Sequence, residues 1–134
     1  MSAKVFIHQH RVTYAECTAG NHIYYSRYLD LLEAARGEFF RGLGMSLLKL
    51  QEQETIFPVI ECRIRYLAPA RYDDVLDLEV RPTKVERVRL NFAHRILKSG
   101  APILEAETFH ACTGLDEKPR RIPDDLAKLL QLWL

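Results

Sequence analysis

Residues 26–43 read SRYLDLLEAARGEFFRGL, and the spacing of their apolar side chains decides the fold. These side chains recur three and four positions apart, the period of a helix with one buried face. The members of this face are Tyr28, Leu31, Leu32, Ala35, Phe39, Gly42 and Leu43. A stripe of Leu29, Glu33, Arg36 and Phe40 flanks it. The pattern predicts one long helix that must bury its apolar face against a larger surface.

The segments on either side of this helix alternate in the manner of strands. Residues 4–14 predict a first strand, with Val5, Ile7, Val12 and Tyr14 as its apolar members. A short helical piece at 45–55 is followed by four strand patterns that end near residue 113, and Ser99-Gly100 is a hairpin signal between the last two. The chain closes with a short helix begun by Pro123.

One long helix beside a succession of strands is typical of an α+β protein with an antiparallel sheet. The sheet is the only surface large enough to cover the helix, so we expect five strands to curve around it in the hotdog arrangement. The chain has 134 residues, which fits a single domain over 1–134.

Bulk composition excludes several classes of partner. The net charge is +1, so there is no electrostatic case for binding nucleic acid or an anionic membrane. No stretch approaches the length of an apolar membrane span.

Cys17, Cys62 and Cys112 lie far apart and predict reduced thiols in a cytoplasmic protein. We expect no metal and no cofactor, and we interpret His94 and His110 as residues of the sheet.

Three stretches of the chain resemble a known family, in order and over nearly the whole length. They are RVTYAECTAGNHIYYSRYLDLLEAARGEFF at 11–40, FPVIECRIRYLAPARYDDVLDLEV at 57–80 and PRRIPDDL at 119–126. The first resembles the opening of hotdog acyl-CoA thioesterases of the 4-hydroxybenzoyl-CoA thioesterase type, which has the form YxDTDAGGVVYHxxYLxxFExAR. The resemblance implies hydrolysis of an acyl-CoA or acyl-carrier thioester. It also implies a homodimer with its sheets side by side, commonly assembled into a tetramer, and active sites between subunits.

The resemblance places a thioester at the start of the long helix. There the family uses the backbone N–H at the position of Tyr25 to stabilise the oxyanion, a role that needs no particular side chain. The family's catalytic carboxylate is the second aspartate of DTDAGG, and that position is Thr18. A hydroxyl is no general base at neutral pH without help. The usual loop acid is therefore missing, and another residue must activate water.

Four alternatives remain open for the missing base. Glu33 occupies the glutamate of the family's FExAR, and related hotdog thioesterases take their carboxylate from this helix; an ion pair with Arg36 is its structural interpretation. His22 matches the histidine of a sister motif, GHVNN, and is either a base or a hydrogen-bonding residue that orients the loop. Asn21 with Thr18 can bind a water or the thioester oxygen, or Asn21 serves only the backbone. Glu16 aligns with the first aspartate, and we expect it to accept backbone N–H bonds.

The CoA phosphates require basic side chains. KVERVRLNF at 84–92 resembles the strand segment where the family holds them, which assigns Arg87 and Arg89 to CoA binding. Charges on an exposed strand edge are the alternative. For the protein as a whole, two other functions stay open, namely a non-catalytic binder of acyl-CoA or acyl carriers and a hotdog dehydratase or hydratase.

Overall fold

The structure is a computed structural model, and it describes residues 4–134, so the first three positions of the predicted 1–134 domain lie outside the described residues. Its strands are β1 (Phe6–Arg11), β2 (Val59–Tyr66), β3 (Val75–Val85), β4 (Arg89–Lys98) and β5 (Ala101–Ala111). Its helices are α1 (Tyr28–Gly42), α2 (Leu47–Glu52) and α3 (Asp124–Gln131), and 3-10 turns cover Tyr14–Glu16 and Tyr25–Arg27.

All five strands form one antiparallel sheet in the order β1-β3-β4-β5-β2. The turn between β4 and β5 uses Ser99 and Gly100, both with positive φ (50° and 81°), as a two-residue hairpin of this hand requires. The predicted α+β hotdog fold is confirmed, with one long helix lying in the hollow of a five-stranded sheet.

The predicted buried face of α1 is confirmed for five of its seven members, whereas Gly42 is exposed and Leu43 is half-buried. Tyr28, Leu31, Leu32, Ala35 and Phe39 are all buried against the sheet. At the C-terminal end of this face, Phe39 makes edge-to-face ring contacts with side chains of β1, β4 and the C-terminus, namely Phe6, Phe92 and Trp133. Such pairs add to the gain from burying apolar area, so they fix the helix on the sheet.

The inward face predicted for β1 is wrong. Val5 and Ile7 are 38% and 54% exposed, whereas Phe6 pairs with Val80, a buried residue of β3. Val12 is buried as predicted, but it shares its parity with Phe6 and not with Ile7. Two half-buried histidines occupy the other inward positions of β1. Because histidine is not counted as apolar, a count of apolar residues does not show which face of the strand points inward.

The stripe that flanks the buried face of α1 divides in the structure. Leu29 and Glu33 are exposed, but Arg36 and Phe40 are buried. The ring of Phe40 stacks on Phe57, at 5.7 Å between centroids, because the segment before β2 folds over this end of the helix. The stripe therefore leads from solvent into the interior.

Strand β2 is an edge of the sheet and pairs only with β5 within the described chain. Several of its large apolar side chains are exposed, among them Val59, Ile60 and Tyr66. Among residues 4–134, none of the helices combines the length and apolar character that would carry it through a bilayer.

Candidate active site

The loop between the two 3-10 turns is held by its own backbone. Thr18 N–H donates to the carbonyl of His22 (2.8 Å), and Asn21 N–H donates to the carbonyl of Thr18 (3.0 Å). Asn21 has a φ of 58°, the left-handed conformation that asparagine tolerates. The Thr18 hydroxyl also donates to the His22 carbonyl (3.3 Å). Thr18 thus helps to close the loop through both its backbone and its hydroxyl.

Two further contacts fix this loop to the rest of the chain. The Oδ1 of Asn21 accepts from Tyr72 N–H (3.1 Å), just before β3 begins, and Ile23 N–H donates to the carbonyl of Ala70 (3.0 Å). The side chain of Asn21 is therefore used in positioning as well as its backbone. The side chain of His22 is exposed.

Tyr25 begins the helical path, and its N–H points out of the end of the helix. Among residues 4–134 this N–H makes no hydrogen bond, as expected for the first residue of a helical segment. The carbonyl of the same residue accepts from the hydroxyl of Tyr66 (2.9 Å), which ties this turn to the end of β2. A free N–H on a fixed backbone at a helix N-terminus is a suitable oxyanion donor.

Glu16 has the structural role predicted for it. Its carboxylate accepts from Thr13 N–H (2.7 Å) and lies 2.9 Å from Nε2 of His10. Burial alone would raise the pKa of Glu16, but the hydrogen bonds from Thr13 and His10 outweigh it and lower the pKa. Since both carboxylate oxygens are used inside the fold, Glu16 is a poor candidate for the base.

Glu33 lies at the wall of a cavity of about 340 Å³ between α1, α2 and the segment before β2. The walls of this cavity, which we call the flank cavity, are mostly apolar and include Phe40, Leu47, Phe57, Val59 and Phe92. Within the described chain no ion pair joins Glu33 to Arg36, so the expected structural role of Glu33 is not what the geometry shows. The carboxylate of Glu33 is instead available beside an apolar cavity of ligand size.

A buried polar group of four side chains lies at the floor of the flank cavity, and two of them, Arg36 and His110, line the cavity itself. His110 Nδ1–H donates to the carbonyl of Phe57 (3.0 Å), so its Nε2 accepts from the hydroxyl of Thr108 (2.9 Å). Thr108 Oγ1 then accepts from Nε2–H of His94 (3.3 Å). Within residues 4–134, His94 Nδ1 is buried without a partner. Nη1 of Arg36 lies 3.4 Å from Nε2 of His94 and completes the group.

Both histidines are neutral in the folded protein. Burial, reinforced by the charge of Arg36, lowers the pKa of His94 to about 3. Burial lowers the pKa of His110 to about 4 and outweighs the Phe57 carbonyl, which acts in the opposite direction. The fold therefore keeps a single permanent charge, that of Arg36, at the floor of the cavity.

These two histidines predict a loss of stability in acid. An unfolded chain takes up their protons near pH 6.5 and the folded chain does not, so the stabilisation is complete above pH 6.5 and is lost as pH falls towards 4. We expect the free energy of unfolding to fall by about 1.4 kcal/mol per pH unit for each histidine in this interval. Urea unfolding at pH 6.5, 5.5 and 4.5 measures the slope.

His94→Gln is the matched variant for this measurement, because its amide nitrogen replaces Nε2 without a titrating group. The slope of the free energy of unfolding against pH should decrease by about 1.4 kcal/mol per pH unit, the contribution of one histidine. An unchanged slope would show that His94 does not carry the acid sensitivity, whatever the variant does to stability at neutral pH.

Arg87 and Arg89 lie at the β3–β4 turn and belong to the same end of the sheet as the flank cavity. Leu90 of β4 and Val59 of β2 both pair with His110 of β5, which lies between them. Since Val59 lines the flank cavity and Arg89 is next to Leu90, Arg89 is two strands, or about 10 Å, from the cavity wall. The loop of Asn21, in contrast, contacts the chain just before β3 starts. β3 spans Val75–Val85, so about 30 Å separates Arg87 from that loop within one chain.

The structure thus brings the predicted site residues together in two groups. Thr18, Asn21, His22 and Tyr25 form the loop group at one end of the sheet. Glu33 lies on the flank cavity, and Arg87 and Arg89 lie at the cavity's end of the sheet. Among residues 4–134, no group of three histidine, cysteine or carboxylate side chains has the geometry to hold a metal ion.

Sequence reasoning missed the polar floor of the cavity. His94 and His110 were interpreted separately as sheet residues, but they meet through Thr108. A signal was present in the pattern: polar residues at inward positions of two strands predicted to be neighbours. Arg36, on the flanking stripe one turn from Phe40, was the other indication.

Comparisons with known proteins identify the family and the fold of this chain. The family model described as the thioesterase-like superfamily matches residues 12–130. Acyl-CoA thioester hydrolase YbgC of Escherichia coli O6:H1 is 32% identical over 94% of this chain and 96% of its own. A 1,4-dihydroxy-2-naphthoyl-CoA hydrolase of Synechococcus elongatus is 25% identical over 94% of this chain and 92% of its own. The crystal structure of a probable thioesterase from Bartonella henselae superposes with a TM-score of 0.86, at 28% identity, over 90% of this chain and all of that one (100%).

Proposed function

The chain belongs to the thioesterase-like superfamily, and from that membership we propose that it hydrolyses acyl-CoA thioesters at a site shared by two subunits of a homodimer. It is a hotdog thioester hydrolase, as its named relatives support. The observation that carries the shared site is the spacing of Tyr25 and Glu33 along one continuous helical path.

A single chain cannot bring these two groups together. Eight residues separate Tyr25 from Glu33, which is about 12 Å along a helix axis. A water molecule that bridges a base and a thioester spans about 5.5 Å between its two hydrogen-bond partners. Even a glutamate side chain that leans back towards the helix start leaves a gap too long for that bridge. Tyr25 is also absent from the lining of the flank cavity.

A second subunit paired through β2 closes this gap. The free edge of β2 and its exposed apolar side chains support the side-by-side sheets that the resemblance implies. Two copies of one strand related by a twofold axis run antiparallel, so the Tyr66 end of the partner's β2 lies beside Val59. Tyr66 holds the Tyr25 turn, and Val59 lines the flank cavity. The arrangement brings the partner's free N–H to the cavity that contains Glu33.

The reaction then uses one water molecule and groups from both subunits. The thioester carbonyl accepts from Tyr25 N–H of one subunit, and Glu33 of the other takes a proton from water as it attacks. The C–S bond of the tetrahedral intermediate breaks, the acyl group leaves as the free acid, and the thiolate takes up the proton. Thr18 and Asn21 hold the loop that presents Tyr25, and we assign the exposed His22 beside it to contact with the substrate.

Arg87 and Arg89 complete the site as the partners of the CoA phosphates. They lie at the cavity's end of the sheet, so they come from the subunit that supplies Glu33. Within the described chain, neither makes an ion pair with a carboxylate. Basic side chains without an internal partner at a site mouth suit a polyanionic substrate.

One observation favours a second candidate, a protein that binds acyl-CoA or acyl-carrier thioesters without hydrolysing them. It is the threonine at position 18, whose hydroxyl is used in closing the loop. A thiol-release assay over acyl-CoAs of different chain length and aromaticity separates the two. Turnover supports the hydrolase, and tight binding without turnover on any substrate, with activity gained in Thr18→Asp, supports the binder.

Several predictions from the sequence remain predictions. They are one domain over 1–134, a homotetramer built from two dimers, a cytoplasmic location, and hydrolysis without cofactor or metal. Light scattering on the purified protein addresses the assembly, and activity after exhaustive chelation addresses the metal.

A further inference from the structure

Arg36 is a buried cation without an anionic partner in the described chain. It is 8% exposed, and its guanidinium forms no ion pair among residues 4–134. Nη1 of Arg36 lies 3.4 Å from Nε2 of His94, but the hydrogen bonds of the polar floor use that neutral nitrogen as a donor to Thr108, so the contact supplies no anionic acceptor. Among residues 4–134, the five N–H groups of Arg36 therefore have no anionic acceptor.

An unpaired buried charge is expensive, and proteins normally pair it or remove it. Burial lowers the pKa of Arg36, and the nearby charge of Glu33 acts in the opposite direction. Guanidinium nonetheless stays charged at any physiological pH. The two neutral histidines beside it offer no negative charge. What is missing at the floor of the flank cavity is an anion that can accept from the guanidinium.

The cavity gives that anion an entry path. Arg36 lines it together with His110, and most of the other walls are apolar, with Glu33, Gln51 and Thr55 as the further polar residues. Within residues 4–134, His94 Nδ1 is the side-chain nitrogen or oxygen that is fully buried without a hydrogen-bond partner. The guanidinium nitrogens of Arg36 that make no hydrogen bond are therefore not fully buried, and a ligand in the cavity can reach them. A carboxylate that reached this floor would meet a planar fork of donors in a site of low dielectric constant, where such a pair is strong.

We propose that the flank cavity takes an acyl group whose far end is a carboxylate, and that Arg36 selects this group. The inference deepens the proposed function, on which it rests, by naming the substrate class as monothioesters of short dicarboxylic acids. Glu33 marks the position of the thioester, and Arg36 lies one turn further along α1, about 4.5 Å along the axis. An acyl chain with on the order of three carbons between its thioester carbonyl and its terminal carboxylate fits this spacing.

The test compares two acyl-CoAs of equal carbon number, glutaryl-CoA and valeryl-CoA. They differ only in whether the acyl chain ends in a carboxylate or a methyl group. We expect wild type to have a kcat/KM at least about 10-fold higher for glutaryl-CoA, from a charge-assisted hydrogen bond. Arg36→Met should lower kcat/KM for glutaryl-CoA by about 10- to 100-fold and change that for valeryl-CoA by less than about 3-fold.

Arg41→Met is the matched control, because Arg41 lies on the same helix with its side chain exposed and paired with Glu38. It should leave both substrates unaffected. Equal rates for the two substrates with wild type would overturn the inference, and so would an equal loss on both with Arg36→Met. If Arg36→Met does not fold, the preference of wild type decides alone.

Binding of the corresponding thioether analogues separates this inference from the proposed reaction. S-(4-carboxybutyl)-CoA and S-pentyl-CoA, in which a methylene replaces the thioester carbonyl of glutaryl-CoA and valeryl-CoA, cannot be hydrolysed, so their Kd values do not depend on catalysis. A protein that prefers the carboxylate analogue but hydrolyses no thioester would retain the inference and refute the hydrolase. A protein that hydrolyses acyl-CoAs but binds both analogues equally would do the reverse.

Discussion

Replacing Glu33 by glutamine is expected to lower kcat for acyl-CoA hydrolysis by about 10²- to 10⁴-fold, the range by which a positioned general base accelerates a reaction. Glutamine keeps the size and hydrogen-bonding capacity of the side chain but cannot accept the proton of water. Since Glu33 is exposed and makes no ion pair within the described chain, the fold should not change. Steady-state thiol release, with the thermal midpoint measured alongside, gives both values.

Glu38→Gln is the matched control for this variant. Glu38 lies on the same helix, and its ion pair with Arg41 at 3.4 Å is on the surface, where such pairs contribute little. It should have wild-type kcat. If Glu33→Gln also keeps wild-type kcat, the base is elsewhere, and His22 becomes the first residue to replace.

Replacing Tyr25 by proline is expected to lower kcat by about 10²- to 10³-fold, because proline removes one oxyanion donor and nothing else that the site needs. Proline suits this position structurally. Tyr25 is the first residue of its helical turn, where proline is favoured, and Tyr24 before it has φ −64° and ψ 134°, which a following proline allows. The carbonyl that Tyr66 binds is retained.

Tyr25→Phe separates the N–H from the phenol hydroxyl. The side chain of Tyr25 is 62% exposed, and phenylalanine keeps both the ring and the N–H. We expect near wild-type kcat from Tyr25→Phe beside the large loss from Tyr25→Pro. Equal losses would mean that the phenol acts in the site, and no loss from proline would remove Tyr25 N–H from the mechanism.

The sequence was sufficient to predict the long helix and most of the sheet because their patterns involve many residues. The face of α1 that includes Tyr28 and Phe39 and the inward positions of β3 are apolar without interruption, so period and parity are unambiguous. The prediction for β1 failed because it joined Ile7 to Val12, which have opposite parity. Histidines at inward positions made the true face look polar.

The candidate site was less predictable for two physical reasons. A helical wheel places Arg36 on a flank, but it does not show that the segment around Phe57 folds over that flank and buries it. The polar floor depends on the pairing of two strands with a helix, and pairing register cannot be derived from one strand's composition. The loop residues, in contrast, could be placed because Asn21 and Thr18 act through local backbone geometry.

The shared site is the central claim, and mixed dimers of Glu33→Gln and Tyr25→Pro test it most directly. Each variant is nearly inactive alone, but a mixed dimer has one site with both defects and one with neither. Random pairing makes about half of the dimers mixed, so the mixture should recover about a quarter of wild-type activity after dissociation and reassembly. Recovery at that level is the result we predict. A mixture that stays at the activity of the separate variants, in dimers shown to exchange subunits, would contradict a site built from Tyr25 of one subunit and Glu33 of the other.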